Sequence, residues 1–452
     1  MKIANKNFLV AGLGISGAAA ARFLKKRGAA VTVTDMAPAS HECLASYVPS
    51  MREMDISMEF GEHRIESFES ADVIVISPGV PHTIPPVKAA RKKGIPVMGE
   101  IELASRFIDI PIVAVTGTNG KTTTTTLLGK MLEHSGLSVF VGGNIGEPLI
   151  GYVDENSPFT EHPQHPLQRE AFSKKHPDGK KADVIVAEIS SFQLDTIHTF
   201  RPGVAVLLNI TEDHLDRYPN FAAYAASKAR IFENQQENDV AVLNSNDPLV
   251  RSVTRNIKSR KLETGSSFKF PIPSSLPGRH NMENISAAYL AAKAAGGTPT
   301  GIQEALNHFR GLPHRTEYVG TINKVKYYND SKATNTDAVL KALECFDDRS
   351  VILIMGGRGK GNGFHVLREA VRGRVKMLIA MGEIREEIES SLGDVAPAKI
   401  AADMKDAVRQ AYHAATPGDT VLLSPACSSF DMYASYADRG KDFCQQVGRL
   451  EK

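Results

Sequence analysis

Short apolar runs alternate with longer stretches of helical spacing along almost the whole chain. Residues 7–12 (NFLVAG) are apolar after Asn7 and lead into an Ala-rich segment, and further strand-like runs occupy 31–34 (VTVT) and 72–76 (DVIVI). Runs that stay apolar at consecutive positions read as strands buried on both faces of a parallel sheet. The strand-then-helix pattern resumes at 112–115, 183–187, 204–208 and 240–243, and a third series stands at 325–329, 351–355, 377–381 and 420–424. It predicts an α/β protein with mostly parallel sheets. A chain of 452 residues exceeds what one core supports. Breaks near Gly99 and after Gly311-Leu312-Pro313 predict three domains, 1–98, 99–311 and 312–452. Residues 154–182, rich in Pro, His, Lys and Gln, read as a long exposed insertion.

Composition narrows the partners. The 53 Lys plus Arg against 51 Asp plus Glu leave a net charge of +2, which gives no electrostatic case for nucleic acid or a membrane surface. The clusters Lys25-Lys26-Arg27 and Arg91-Lys92-Lys93 precede glycines at expected helix ends, where cations suit the helix dipole. No run reaches the ~20 apolar residues of a spanning helix, so no integral membrane segment is expected. The stretch 8–21 has the apolar character of a signal-peptide core, but its glycines sit at functional spacing. Cys43, Cys345, Cys427 and Cys444 lack metal-type spacing and are too few for a disulfide framework, which fits a reducing cytoplasm.

Candidate chemistry begins at Gly12-Leu13-Gly14-Ile15-Ser16-Gly17. This G-x-G-x-x-G has a strand before it, a helix after it and Asp35 about 20 residues on, the pattern of a βαβ anion site. Ser77-Pro78-Gly79 follows another strand, at the edge where open α/β sheets place ligands; a plain turn is the competing reading. Gly117-Thr118-Asn119-Gly120-Lys121-Thr122 has the core of a phosphate-binding loop. Backbone amides and a helix N-terminus face the anion, Lys121 adds a point charge, and Thr122 can ligate Mg²⁺. Val115 stands where the full Walker pattern has glycine, so the loop is shorter than that of an ordinary P-loop motor.

Glu188 ends one strand and Thr211-Glu212-Asp213-His214 follows another, which puts carboxylates and an imidazole on the phosphate loop's rim if the strands are parallel. That set suits Mg²⁺. Helix capping by Glu188 and a solvated acidic cluster are the alternatives. His162, His165 and His176 lie in the insertion without metal spacing and read as solvated.

Lys228 is the most informative single residue. In a helix from about Phe221 to Phe232, residues Phe221, Tyr224, Lys228 and Phe232 share one face, so a lysine lies on the apolar stripe. Either it snorkels, or it is desolvated with a lowered pKa and reacts as a neutral amine. Asn281 and Asn284, one turn apart before an Ala-rich helix, either cap that helix or hydrogen-bond a nucleotide. Arg315 and the loops 329–334, 355–361 and 424–430 set polar groups at strand ends of the third domain, as a small polar ligand requires.

In order along the chain, GTNGKTT, AEISSFQLD, NITEDHLDRY, LPGRHNMEN, LPHRTE, NDSKATN, GGRGKG and SPACSSFD resemble the motif series of the Mur ligases. The resemblance covers nearly the whole sequence. It implies a Rossmann-like N-terminal domain, a central P-loop-type ATPase domain and a C-terminal Rossmann-like domain. GLGISG, the SPG at 77–79, NDSKATN and SPACSSFD most resemble the branch that adds D-glutamate to UDP-N-acetylmuramoyl-L-alanine with ATP.

By that resemblance Lys121 and Thr122 would handle ATP phosphates and Mg²⁺, and Glu188 would share the metal. His214 and a CO₂-carbamylated Lys228 would serve a second Mg²⁺. Asn281, Asn284, Arg315, Asp330 and Lys332 would hold ATP. Ile15, Ser16, Ser77, Gly79, Asn144 and Gln193 would contact the UDP-sugar. Thr334, Lys360, Ser429, Phe430 and Tyr436 would receive D-glutamate, with Lys360 on its side-chain carboxylate. A cytoplasmic monomer with small-molecule partners is expected as well, and because Arg315, Asp330 and Lys332 lie beyond the 311–313 hinge and an acyl phosphate needs shielding from water, the third domain is expected to close on the second around ATP.

Two departures stand out. Met36-Ala37 follows Asp35, where the resemblance implies a polar and a basic residue in some relatives, and the insertion is unusually long. Two other classes compete. An NAD-dependent oxidoreductase would use Gly12 to Gly17 and Asp35 but leave the phosphate loop and Lys228 idle. A nucleotide-gated binding module would bind ATP without ligation.

Overall fold

The computed structural model describes residues 1–41, 44–154, 181–213, 217–264, 278–309, 311–359 and 363–450. Cys43, His214, Lys360 and the three insertion histidines lie outside the described residues.

Three sheets carry the chain. The first has β1 (Asn7–Ala11), β2 (Ala30–Asp35), β3 (Ser57–Phe60), β4 (Val73–Ile76) and β5 (Val97–Gly99), all parallel, in the order β3-β2-β1-β4-β5. β1 leads into the helix Ile15–Lys26, whose run from Gly17 to Leu24 is buried against the sheet. The basic triplets do sit at helix ends, with Arg27 and Lys93 as C-caps.

The second sheet joins β6 (Ile112–Thr116), β7 (Val139–Gly143), β8 (Val184–Glu188), β9 (Val204–Leu207), β10 (Val240–Asn244) and β11 (Arg260–Thr264). It too is parallel throughout, in the order β11-β10-β9-β6-β8-β7. The phosphate loop follows its central strand β6, and β8 and β9 flank that strand, so Glu188 does share a rim with the loop.

The third sheet holds β12 (Glu317–Ile322), β13 (Val325–Asn329), β14 (Val351–Gly356), β15 (Val375–Met381), β16 (Ala398–Ile400) and β17 (Thr420–Leu423), ordered β12-β13-β17-β14-β15-β16. The strand-then-helix reading from 325 needs two additions, β12 and the short edge strand β16. β12 precedes as an antiparallel edge, joined to β13 through Asn323 and Lys324 at φ 51° and 63°. Positive φ at both central residues is the hairpin geometry that matches strand twist. Two helices also differ from expectation. The helix bearing Lys228 runs Phe221–Ala229 and tightens into a 3₁₀ turn, Arg230–Phe232. Asn281 and Asn284 lie inside the first turns of Arg279–Ala294, not before it.

The chain forms two compact units, Met1–Lys269 with Glu283–Ala305, and Phe270–Met282 with Leu306–Lys452. Among the described residues no helix is long and apolar enough to cross a membrane.

Within the first unit a buried carboxylate joins its two sheets. Glu102, on the helix Glu100–Ser105 after β5, accepts from the amides of His198, Thr199 and Phe200 at 2.9, 3.0 and 2.9 Å and from the Thr199 hydroxyl at 2.6 Å. Arg106 completes its shell at 2.9 Å. Glu100 contrasts with it. One oxygen accepts from the Ile150 amide at 2.6 Å, the other is buried without a partner, and burial lifts its pKa from 4.5 to about 7.

A raised carboxyl pKa means that the folded state holds the proton longer. Its stabilisation is therefore full below pH 4.5 and is lost as pH rises through about 7. Glu100→Gln should match wild type near pH 4.5 and exceed it by roughly 3 kcal/mol at pH 8 in urea unfolding. Parallel pH profiles for the two chains would refute this account of Glu100.

Candidate active site

In the first unit a cavity of about 950 Å³ opens over the C-terminal edge of the first sheet. Ile15, Ser16, Ser77, Gly79, Asn144 and Gln193, all expected at one ligand, line it together. Local geometry explains the motif around them. A side chain at Gly17 would place Cβ 1.9 Å from the Gly12 carbonyl oxygen, so glycine lets the helix start close under the turn. The Ser77 hydroxyl donates to that same carbonyl at 2.8 Å, which ties the β4 loop to the glycine turn. Ser77-Pro78-Gly79 is thus part of the ligand rim and not a bare turn.

Asp35 departs from the dinucleotide pattern. Its two oxygens accept from the amides of Leu13 at 2.7 Å and Ala37 at 2.8 Å. The carboxylate that would meet a ribose hydroxyl in an NAD site is committed here to the backbone of the two turns. Met36 beside it is 59% exposed and faces the cavity.

The phosphate loop follows β6 in the same unit. Lys121 folds back on it, donating to the carbonyls of Gly117 and Thr118 at 2.9 Å each. Gly120 has φ 83°, and a Cβ there would come within 2.2 Å of the Asn284 side-chain oxygen, so Asn284 packs directly on the loop. Thr122 opens the helix Lys121–His134. Glu188 is buried; one oxygen accepts from Asn144 Nδ2 at 3.0 Å, and the other has no partner. It caps no helix, since Ser190 caps Ser191–Leu194 in a capping box with Gln193.

Lys228 is 2% exposed, so it does not snorkel. Its Nζ donates to the Gly117 carbonyl at 2.9 Å and stands 4.6 Å from the Tyr224 ring centroid. Burial, then the nearby Lys121 charge, pulls its pKa well below the ordinary lysine value. Tyr224 reaches from the same helix to the Thr118 hydroxyl at 3.2 Å. A lysine amine with a lowered pKa is therefore held against the phosphate loop.

The second unit gathers another group. Asp330, at the end of β13, accepts from Thr316 N at 3.0 Å and from the Ser424 hydroxyl at 2.8 Å, and burial raises its pKa from 3.8 to about 7. Lys332 Nζ lies 4.0 Å from the Tyr436 ring centroid. Arg315 and Thr334 are half-buried, Asn281 is buried in its helix, Ser429 is buried, and Phe430 is 64% exposed.

Arg439 was not among the residues expected from sequence. It is 2% exposed and donates to Ser331 Oγ and O at 2.9 Å each, to Cys427 O at 3.1 Å, and to Gly356 O and Ser428 O at 3.3 Å each. One guanidinium thus ties three of the polar loops at strand ends. Burial lowers its pKa to about 10. The signal was the one that marked Lys228. In the helix Tyr436–Gly448 it lies among the buried positions Ala437, Gly440, Phe443 and Val447.

Three family descriptions match the chain. Mur ligase MurD-like, N-terminal domain covers residues 6–99, Mur ligase middle domain 115–270, and Mur ligase, glutamate ligase domain 314–427. A curated relative from Desulfosudis oleivorans, named UDP-N-acetylmuramoylalanine--D-glutamate ligase, is 49% identical across 99% of this chain and 97% of its own. One of the same name from Geotalea daltonii is 44% identical across 100% and 99%. In fold the chain is similar to the solved UDP-N-acetylmuramate-alanine ligase MurC of Thermotoga maritima, with TM-score 0.57 and 19% identity over 98% and 99% of the two chains. MurF from Acinetobacter baumannii gives 0.56 and 15% over 93% and 86%.

Replacing Arg439 with lysine keeps the charge but cannot reach all of these acceptors. Arg439→Lys should cost about 2–4 kcal/mol, read as a lower urea midpoint of the full chain. An unchanged midpoint would show that the loops hold without the guanidinium.

Proposed function

The chain belongs to the Mur ligase family, and from that premise we propose how its residues divide the work of one reaction. The enzyme joins D-glutamate to UDP-N-acetylmuramoyl-L-alanine through an acyl phosphate, at the expense of ATP, in peptidoglycan precursor synthesis. The structural observation that best supports this is the Asn144 contact, because the sugar-nucleotide cavity and Glu188 beside the phosphate loop share that one residue.

A carboxylate is a poor electrophile, so the L-alanyl carboxylate first takes the γ-phosphoryl group of ATP. Phosphoryl transfer depends on alignment and charge neutralisation. Lys121 supplies the charge, exchanging its loop carbonyls for phosphate oxygens, and the 117–120 amides orient the chain of phosphates. The amine of D-glutamate then attacks the acyl carbon, the carbon–nitrogen bond forms, and phosphate leaves. Ile15 and Ser16 hold the diphosphate at a helix N-terminus, with Ser77, Gly79, Asn144 and Gln193 along the sugar. Asn281, Asn284, Arg315, Asp330 and Lys332 serve ATP; Thr334, Lys360, Ser429, Phe430 and Tyr436 receive D-glutamate. The corresponding division is 1–98 for the UDP-sugar, 99–311 for ATP and 312–452 for the amino acid. ATP use supports a cytoplasmic setting.

The reaction is Mg²⁺-dependent, and the chain's residues fit a hard cation. The second Glu188 oxygen is buried and unpartnered, and Thr122 opens the helix beside the loop. Thr122 and Glu188 would hold one ion, and His214 with Lys228 a second; bound Mg²⁺ neutralises phosphate charge. Lys228 would become a ligand by carbamylation: an uncharged Nζ would attack CO₂, one C=O π pair moving to oxygen as the nitrogen–carbon bond forms, and the surplus N–H proton would pass to water, leaving a carbamate on the side chain.

Phosphate release from ATP with UDP-N-acetylmuramoyl-L-alanine should require D-glutamate and fail with L-glutamate, L-lysine or meso-diaminopimelate. Turnover with one of these others would overturn the amino-acid assignment. Under ¹³C-bicarbonate a carbamate carbon signal should appear in wild type and be absent from Lys228→Met, with phosphate release at least about 100-fold lower in the variant. A wild-type spectrum with no such signal would remove the carbamate.

A further inference from the structure

The reading above leaves one end of the substrate without a polar partner. The order β3-β2-β1-β4-β5 puts the loops after β3 and β2 at one side of the cavity and the β4 loop at the other. Three strand spacings, ~14 Å, separate β3 from β4. Gln193 packs with Ser77 and Gly99 around a small void at the β4 and β5 end. With the diphosphate on the central helix N-terminus and the reacting carboxylate near Asn144, the nucleobase falls over the β2 and β3 loops.

What lines the cavity there is Asp35, Met36, Glu62, His63 and Ile65; the Asp35 oxygens are held by the amides of Leu13 and Ala37, and Glu62 accepts from Arg64 at 2.8 Å. Met36 and Ile65 are large apolar side chains left 59% and 41% exposed, suited to cover the faces of a flat base. His63 supplies the polar atom. The buried Thr34 hydroxyl donates to Glu62 O at 3.2 Å and lies 3.0 Å from His63 Nδ1. A hydroxyl has one proton, so with that proton on the carbonyl its oxygen accepts from Nδ1–H. Nε2 then carries the lone pair, and it has no partner among the described residues. The ring is fixed further by Phe68, edge to face at 5.8 Å. Burial lowers its pKa, which keeps it neutral.

Resting on the UDP-sugar reading, we propose that His63 selects the pyrimidine of the substrate, its Nε2 accepting the imide N–H of uracil. Cytosine presents a lone pair at the same ring position and would face another lone pair.

Calorimetric titration of the full chain with UDP and with CDP tests this. Wild type should bind UDP at least about tenfold more tightly than CDP. His63→Phe should lose about that factor for UDP and little for CDP, while His63→Gln, which keeps an acceptor, recovers part of it. Equal losses for both nucleotides, or none, overturn the inference. Should His63→Phe not fold, ¹⁵N-histidine spectra of wild type decide. The Nε2 resonance should move on adding UDP and stay in place with CDP; no movement with UDP overturns it. D-glutamate-dependent phosphate release is measured on the same preparation. Ligation with an indifferent His63 sinks this inference alone, whereas no ligation sinks the reading beneath it.

Discussion

The arrangement of the first unit depends on the grip of Asn144 on Glu188. β7 and β8 end in register at Gly143 and Glu188, and just beyond them the Asn144 backbone amide donates to the Glu188 carbonyl at 2.8 Å while its side chain holds the carboxylate. The strands come so close that a Cβ on Gly143 would stand 2.5 Å from that carbonyl. Two parallel strands therefore deliver a cavity-lining amide and a buried carboxylate as one rigid pair. Reaction between an acyl group and a phosphoryl group needs such fixed spacing, since small misplacements cost large factors in rate.

Buried charge is handled in three ways, each following from the chemistry of the group. Lys228 has no ion pair among the described residues, and its burial pulls the pKa well below the ordinary lysine value, which favours loss of its proton. Arg439 cannot shed its charge so easily, and it is surrounded by four backbone carbonyls and a hydroxyl. Glu102 stays ionised by collecting three amides, a hydroxyl and a guanidinium. The first produces reactivity. The other two produce rigidity, one in the loops of the third sheet and one between the first two sheets.

Most of the fold was legible because parallel strands buried on both faces leave continuous apolar runs, as at 112–115 and 351–355. The strands that escaped notice are edges or short. β3, β11, β12 and β16 are half-exposed, so their sequences carry charges and no continuous run. The Asn323-Lys324 turn lacks the glycine that usually marks such a hairpin.

The sequence by itself determined what is local: the glycine turn, the phosphate loop, the rim position of Glu188 and the lysine on an apolar helix face. Each is a short segment whose backbone or periodicity forces one geometry. Tertiary structure alone decided what depends on distant partners. That Asp35 holds the Leu13 amide, that Arg439 binds three loops and that the Thr34 hydroxyl meets His63 Nδ1 are contacts between segments far apart in the chain. No periodicity encodes them, because a hydrogen bond is satisfied by whatever the fold brings within 3 Å or so.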